Sequence, residues 1–307
     1  MKFGLGVNAN ETTAEIVTKS VLAEKLGLDY VWVSDVPVQL YAPAVASAIA
    51  EKTKNIQIGL GLMSVFLHTP LQIANSLVTL LQAYGERFEL CIGPGDKNLL
   101  KSVGLSLSHQ TGIANYLLDS KKQIEKTLRR NNQKCRIWLG AQGPKVLEKS
   151  RFFDGVLLNY AQPDLINWAV SVIGPPKRKD FQYGIFSSSY VYSSFDPEIY
   201  NLLRISSTIV ALGASKSVLK TLGLTEEIAT ARKKMDEGKP FARAMDLVPV
   251  TTVELFSILK SSSELADYLS KISETKISHV VFSYPQNYSQ KTIQELAQAL
   301  KVSRKEC

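Results

Sequence analysis

Cysteine is scarce in this chain of 307 residues. Cys91, Cys135 and Cys307 are odd in number and have no C-x-x-C spacing, which excludes a disulfide framework and a thiolate zinc site. The three histidines, His68, His109 and His279, are too scattered to imply a metal site, and no metal is expected. H-E-x-x-H, G-x-S-x-G and the Walker P-loop are all missing, so zinc peptidase, α/β-hydrolase and P-loop chemistries lose their support. No window reaches ~18 uninterrupted apolar residues, and Met1–Asn8 turns polar before it could form a signal-peptide core. The expectation is a cytoplasmic protein with no membrane partner. Only 12 prolines and 18 glycines are present, so composition gives no sign of disorder, and a sizeable core can be buried.

Charge is present in excess of one sign. Lys and Arg outnumber Asp and Glu by 36 to 28, a formal net charge of +8, which favours anionic partners in general. The basic residues are spread along the chain, and the runs Lys177-Arg178-Lys179 and Arg232-Lys233-Lys234 read as solvated faces, so no nucleic acid is expected.

Short runs rich in Val, Ile, Leu and Phe alternate with segments of helical period, the pattern of βα units around a parallel sheet. Strands are predicted at Lys2–Val7, Tyr30–Ser34, Ile56–Leu62, Phe88–Ile92, Arg136–Leu139, Gly155–Asn159, Gln182–Tyr192 and His279–Ser283. Helices are predicted at Thr13–Leu26, Ala42–Lys52, Pro70–Ala83, Tyr116–Arg129, Pro144–Ser150, Pro163–Ile173 and Thr292–Leu300, several opening on Thr, Ser or Pro. Eight strands suggest a closed α/β barrel of the (β/α)8 type. Residues 1–307 read as one domain, with a mostly helical insertion at about 196–273 between the seventh and eighth predicted strands.

Active sites of such barrels lie at the carboxyl ends of the strands. Two glycine motifs fall there, Ile92-Gly93-Pro94-Gly95-Asp96-Lys97 and Gly140-Ala141-Gln142-Gly143-Pro144-Lys145, each between a strand and a helix. Glycine permits close approach to phosphate, a helix start favours an anion, and Lys97 or Lys145 adds charge. The alternative is a tight βα turn with no ligand. Asp35 and Asp96 face the same end and are candidates for acid, base or hydrogen-bond acceptor, or for helix caps. His68 could reach the mouth of the barrel, although a solvated histidine at a helix start is the commoner outcome. Tyr190 and Tyr192 are possible substrate contacts.

These residues also carry a likeness. Met1-Lys2-Phe3-Gly4, Tyr30-Val31-Trp32-Val33-Ser34-Asp35, Ile58-Gly59-Leu60-Gly61-Leu62, Thr69-Pro70, the two glycine motifs, Asp154-Gly155-x-x-x-Asn159 and Val280–Pro285 together resemble the coenzyme F420-dependent methylenetetrahydromethanopterin reductases, within the luciferase-like group. The resemblance implies hydride transfer from reduced coenzyme F420 to a C1-carrying pterin, and a homo-oligomer. It implies a cis peptide at Gly61-Leu62, and cofactor contacts at Asp35, Gly61, Leu62, Ser64, Gly93, Gly95, Asp96, Lys97, Gly140, Gln142, Gly143 and Asn159. Asp96 is the surviving acid near the reaction. Two departures stand out: Gly6 occupies a position where the family carries a glutamate, and Asp35 is followed by Val36 rather than by histidine. Gly6→Glu is therefore expected to raise kcat. Two other functions remain open, an FMN-dependent luciferase-like monooxygenase and a cofactor-binding paralogue without catalysis.

Overall fold

The computed structural model of this chain describes residues 1–8 and 10–306, so Cys307 lies outside the described residues. The strands are β1 Lys2–Asn8, β2 Tyr30–Ser34, β3 Gln57–Ser64, β4 Phe88–Gly93, β5 Ile137–Ala141, β6 Gly155–Leu158, β7 Gln182–Tyr192, β8 Ser257–Ser261 and β9 Ile277–Ser283. Every pairing is parallel, and β1 to β7 followed by β9 close into an eight-stranded barrel through the β6–β7 and β9–β1 contacts.

β8 lies within the stretch expected to be helical. Ser188 of β7 pairs with both Ser283 of β9 and Ser257 of β8, so β8 runs along the edge of β7 opposite β9. There it takes up Ser188–Tyr192, beyond the part of β7 that β6 covers. The rest of the insertion is helical, and a short helix at Lys97–Ser102 also escaped the sequence pattern. Helices with strong local start signals have the expected bounds. Ala42–Lys52, Pro144–Ser150 and Pro163–Ile173 each carry proline in the first turn. Capping boxes at Thr12 with Glu15 and at Thr69 with Gln72 start two more. No single helix among the described residues is long and apolar enough to cross a membrane.

Strand alternation sorts the core into two parts. Phe3, Leu5 and Val7 join a large outer cluster between barrel and helices, which also takes in Leu212, Val218, Leu224 and Ile228 of the insertion. Inside the barrel, Trp32, Cys91, Trp138, Leu157 and Val281 pack together, with Tyr30, Leu62 and Phe186 against them. The indoles fit because glycine faces them: a Cβ on Gly59 would lie 2.1 Å from Trp32, and one on Gly155 would lie 2.6 Å from Trp138.

The amino end of the barrel interior is polar and mostly hydrogen-bonded, with His279 Nδ1 left buried and without a partner among the described residues. Trp138 Nε1 donates to Glu89 at 2.6 Å, Tyr30 donates to the same carboxylate at 3.1 Å, and Trp32 Nε1 donates to His279 Nε2 at 3.0 Å. Burial pushes His279 down to about 3, so its imidazole is neutral at pH 7 with the proton on Nδ1. Burial also raises Glu89, against the hydrogen bond from Trp138 and the charge of Arg136. This end is the structural end of the barrel.

Candidate active site

At the carboxyl end the floor is made by Leu62. Its side chain occupies the room that side chains on Gly93 and Gly140 would need, since a Cβ on either would fall 2.2 or 2.3 Å from Leu62 Cδ1. These two glycines, at the ends of β4 and β5, therefore serve Leu62 rather than requiring a phosphate. Leu62 is itself half-buried, so the strand ends surround an apolar surface that is open on one side. Gly61-Leu62 is a cis peptide, as is Tyr284-Pro285. Gly61 packs on Cys91, whose thiol is buried and pushed up by desolvation, and Cys135 behaves likewise. Neither is a nucleophile at neutral pH.

The two glycine turns differ. In the first, Gly95 takes φ +80° beside Ser64, whose hydroxyl donates to the Pro94 carbonyl at 2.8 Å. Asp96 caps the six-residue helix Lys97–Ser102, its Oδ1 accepting from the backbone N–H groups of Asn98 and Leu99 at 2.8 and 2.9 Å. A carboxylate thus holds the donors that an anion would use, which corrects the expectation of a phosphate at this helix start. Asp96 keeps Oδ2 uncommitted, and Lys97 is exposed. In the second turn Pro144 brings no N–H. Gln142 gives its carbonyl to the Tyr160 hydroxyl at 2.7 Å and leaves its side-chain Nε2 buried without a partner. Gly143 lies against Ser215 of the insertion, a neighbour that no sequence signal announced. Asn159, one residue past β6, is half-buried at the same end.

Asp35 and His68 meet across the ends of β2 and β3. His68 Nε2 lies 2.8 Å from Asp35 Oδ2, with side-chain exposures of 19% for the imidazole and 4% for the carboxylate. Tyr41 flanks the imidazole, with 5.6 Å between ring centroids. Histidine, missing from the position after Asp35, reaches it in space from the neighbouring loop. The solvated helix-start reading of His68 is thereby corrected.

Gly6 faces the barrel interior with no room for a side chain. A Cβ there would lie 2.6 Å from that of Ser283 and 3.0 Å from the Phe186 ring. Gly6→Glu alone would collide with both, so the expected gain in kcat from that substitution is withdrawn. Tyr190 is also reassigned. Its hydroxyl accepts from the Asp196 N–H at 2.7 Å, and its ring packs with Tyr192, Ile199, Tyr200 and Leu203, so it anchors the start of the insertion. An apolar groove lined by Val17, Val21, Leu22 and Ala48 lies on the outer helices and contains none of the strand-end residues. The chemistry of the side chains singles out the barrel mouth instead.

Known proteins share the fold. The luciferase-like monooxygenase family matches residues 1–112. The 5,10-methylenetetrahydromethanopterin reductase of Archaeoglobus fulgidus is 25% identical, over 93% of this chain and 94% of that protein. The coenzyme F420-dependent tetrahydromethanopterin reductase of Methanopyrus kandleri superposes with a TM-score of 0.84 at 22% identity, over 97% of both chains. An F420-dependent secondary alcohol dehydrogenase in complex with an F420-acetone adduct gives 0.66 at 15% identity, over 99% of both. The strand order closes a parallel (β/α)8 barrel, and the chain is similar to luciferase-like proteins over residues 1–112 and to the methylenetetrahydromethanopterin reductases along nearly its whole length.

Proposed function

We propose that this protein is an oxidoreductase that passes a hydride from reduced coenzyme F420 to a C1-carrying pterin. The observation that carries this reading is the likeness to methylenetetrahydromethanopterin reductases over 93% of the chain. The residues present fit a flat, polar-edged ring. Leu62 offers an open apolar surface, and Gln142 Nε2 is an orphaned donor in the adjoining turn.

When bound, reduced coenzyme F420 supplies the hydride. This chain's residues bind and orient. In this reading Leu62, held up by Gly61, Gly93 and Gly140, supports the ring, while Asn159, Ser64 and the Gly95 and Gly143 turns border it. Lys97 attracts the anionic tail. Asp96 keeps one carboxylate oxygen for the pterin or the ring edge, and its other oxygen, held by two N–H groups, fixes it in place.

The test is binding. Oxidised coenzyme F420 and FMN, titrated separately into the purified protein and followed by absorbance and fluorescence, should give the lower Kd for coenzyme F420. Tighter binding of FMN would replace this reading with a flavin monooxygenase.

A further inference from the structure

We propose that His68 is the proton donor of the reaction and Asp35 the residue that positions it, an inference that rests on the hydride-transfer reading above. Among the described residues this is the only imidazole paired with a carboxylate; His279 is buried against Trp32, and His109 bonds to Thr111. Both members stand just past the carboxyl ends of adjacent strands, β2 and β3, at the end of the barrel that carries the Leu62 surface.

The two exposures divide the work. A carboxylate only 4% exposed, 2.8 Å from Nε2, fixes both the ring's orientation and the nitrogen that faces it. Nδ1 has no partner among the described residues and is not sealed from solvent, so it is the nitrogen left to meet a substrate. Among the described residues, the titratable groups facing the imidazole are Asp35 from the loop after β2 and Tyr41 from the end of that loop, and no second charged side chain lies within ion-pair distance. A glutamate at position 6 is excluded by Phe186 and Ser283, so the proton must come from another place, and this pair can supply it.

In the step assigned here, Nδ1–H of the imidazolium gives its proton to the pterin amine nitrogen whose bond to the methylene carbon breaks. That nitrogen keeps the bond's electron pair. The methylene carbon, left as an iminium on the second nitrogen, gains a hydride and is reduced to methyl as the deazaflavin is oxidised and loses its remaining proton to solvent. His68 is then reprotonated from water.

Three measurements on the whole protein separate the pair from the reading it rests on. In the free protein, nitrogen NMR of the His68 ring should show the Nε2–H tautomer held in wild type and a mixture of tautomers in Asp35→Asn. Next, oxidised coenzyme F420 should bind wild type and His68→Gln with Kd values within about 2-fold. Last, with reduced coenzyme F420 and methylenetetrahydromethanopterin, wild-type kcat should fall along an alkaline limb as pH rises. His68→Gln should lose ~10²–10⁴ in kcat together with that limb, and Asp35→Asn should lower kcat while keeping the limb. An unchanged tautomer in Asp35→Asn, or a wild-type rate and limb in His68→Gln, overturns the inference. Failure of the wild type to bind coenzyme F420 overturns the functional reading instead, and with it the reaction assigned to the pair.

Discussion

At Gly59 a single added carbon would lie 2.1 Å from the ring of Trp32, which is fully buried and hydrogen-bonded to His279, so neither partner can give way cheaply. Gly213, the exposed last residue of the helix Pro197–Gly213, has nothing within 4 Å of the same added carbon. The same substitution should act with opposite signs. Gly59→Ala is expected to cost about 1–3 kcal/mol or more through overpacking, and Gly213→Ala to gain up to about 0.5–1 kcal/mol through chain stiffening and helix propensity. Urea unfolding of the two variants checks both. Sequence reading recognised glycines as meaningful but misjudged what some of them serve. Gly93 and Gly140 looked like phosphate cradles and make room for Leu62; Gly6 looked like a lost acid and is a position filled by its neighbours. A glycine in a sequence says that a side chain is absent, and the reason lies in whatever approaches it.

The elements that read clearly are those whose signals are local. Proline in the first turn and the Thr12 and Thr69 capping boxes act over three or four residues, so helix starts were legible. β8 was not, because Ser257–Ser261 is short and becomes a strand by pairing with Ser188–Tyr192, nearly seventy residues earlier. The far end of β7 needs a partner on its other edge as well, since β9 pairs with it only as far as Ser188. The Gln286 side chain supplies one. Its Oε1 accepts from the Val191 N–H at 2.6 Å, and its Nε2 donates to the Val191 carbonyl at 3.2 Å and to the Thr292 carbonyl at 2.7 Å. Gln286→Leu should therefore strand buried backbone groups and lower stability by about 2–4 kcal/mol. Denaturant unfolding would detect it, and a loss below about 0.5 kcal/mol would mean that other groups or water satisfy Val191.

Taken as a whole, the barrel buries one ionisable base in its interior, and the pH dependence of unfolding should carry its signature. His279 is neutral when folded, with a pKa near 3, and returns to ~6.5 when the chain unfolds. The unfolded state therefore binds the extra proton between these values. The stability that neutral His279 contributes is complete above about pH 6.5 and declines as pH falls through that window, at up to ~1.4 kcal/mol per pH unit. Glu89 works in the opposite sense, its carboxyl raised by burial, so a wild-type profile alone mixes the two. His279→Gln, whose side-chain carbonyl can still accept from Trp32, should flatten the decline between pH 6.5 and 4; an equally steep profile in the variant would assign the acid sensitivity elsewhere. At this scale the chain by itself determined the alternation of strand and helix, the eight strands of the ring and the end at which its glycine turns gather, because hydrophobic period and turn chemistry are read over a few neighbouring residues. Only the tertiary structure decided that His68 meets Asp35, 33 positions away, that Phe186 and Ser283 fill the space beside Gly6, and that Leu62 lies over two glycines from other strands. Those outcomes depend on which strands become neighbours, and in what register, when the barrel closes, and that is a property of contacts between distant segments.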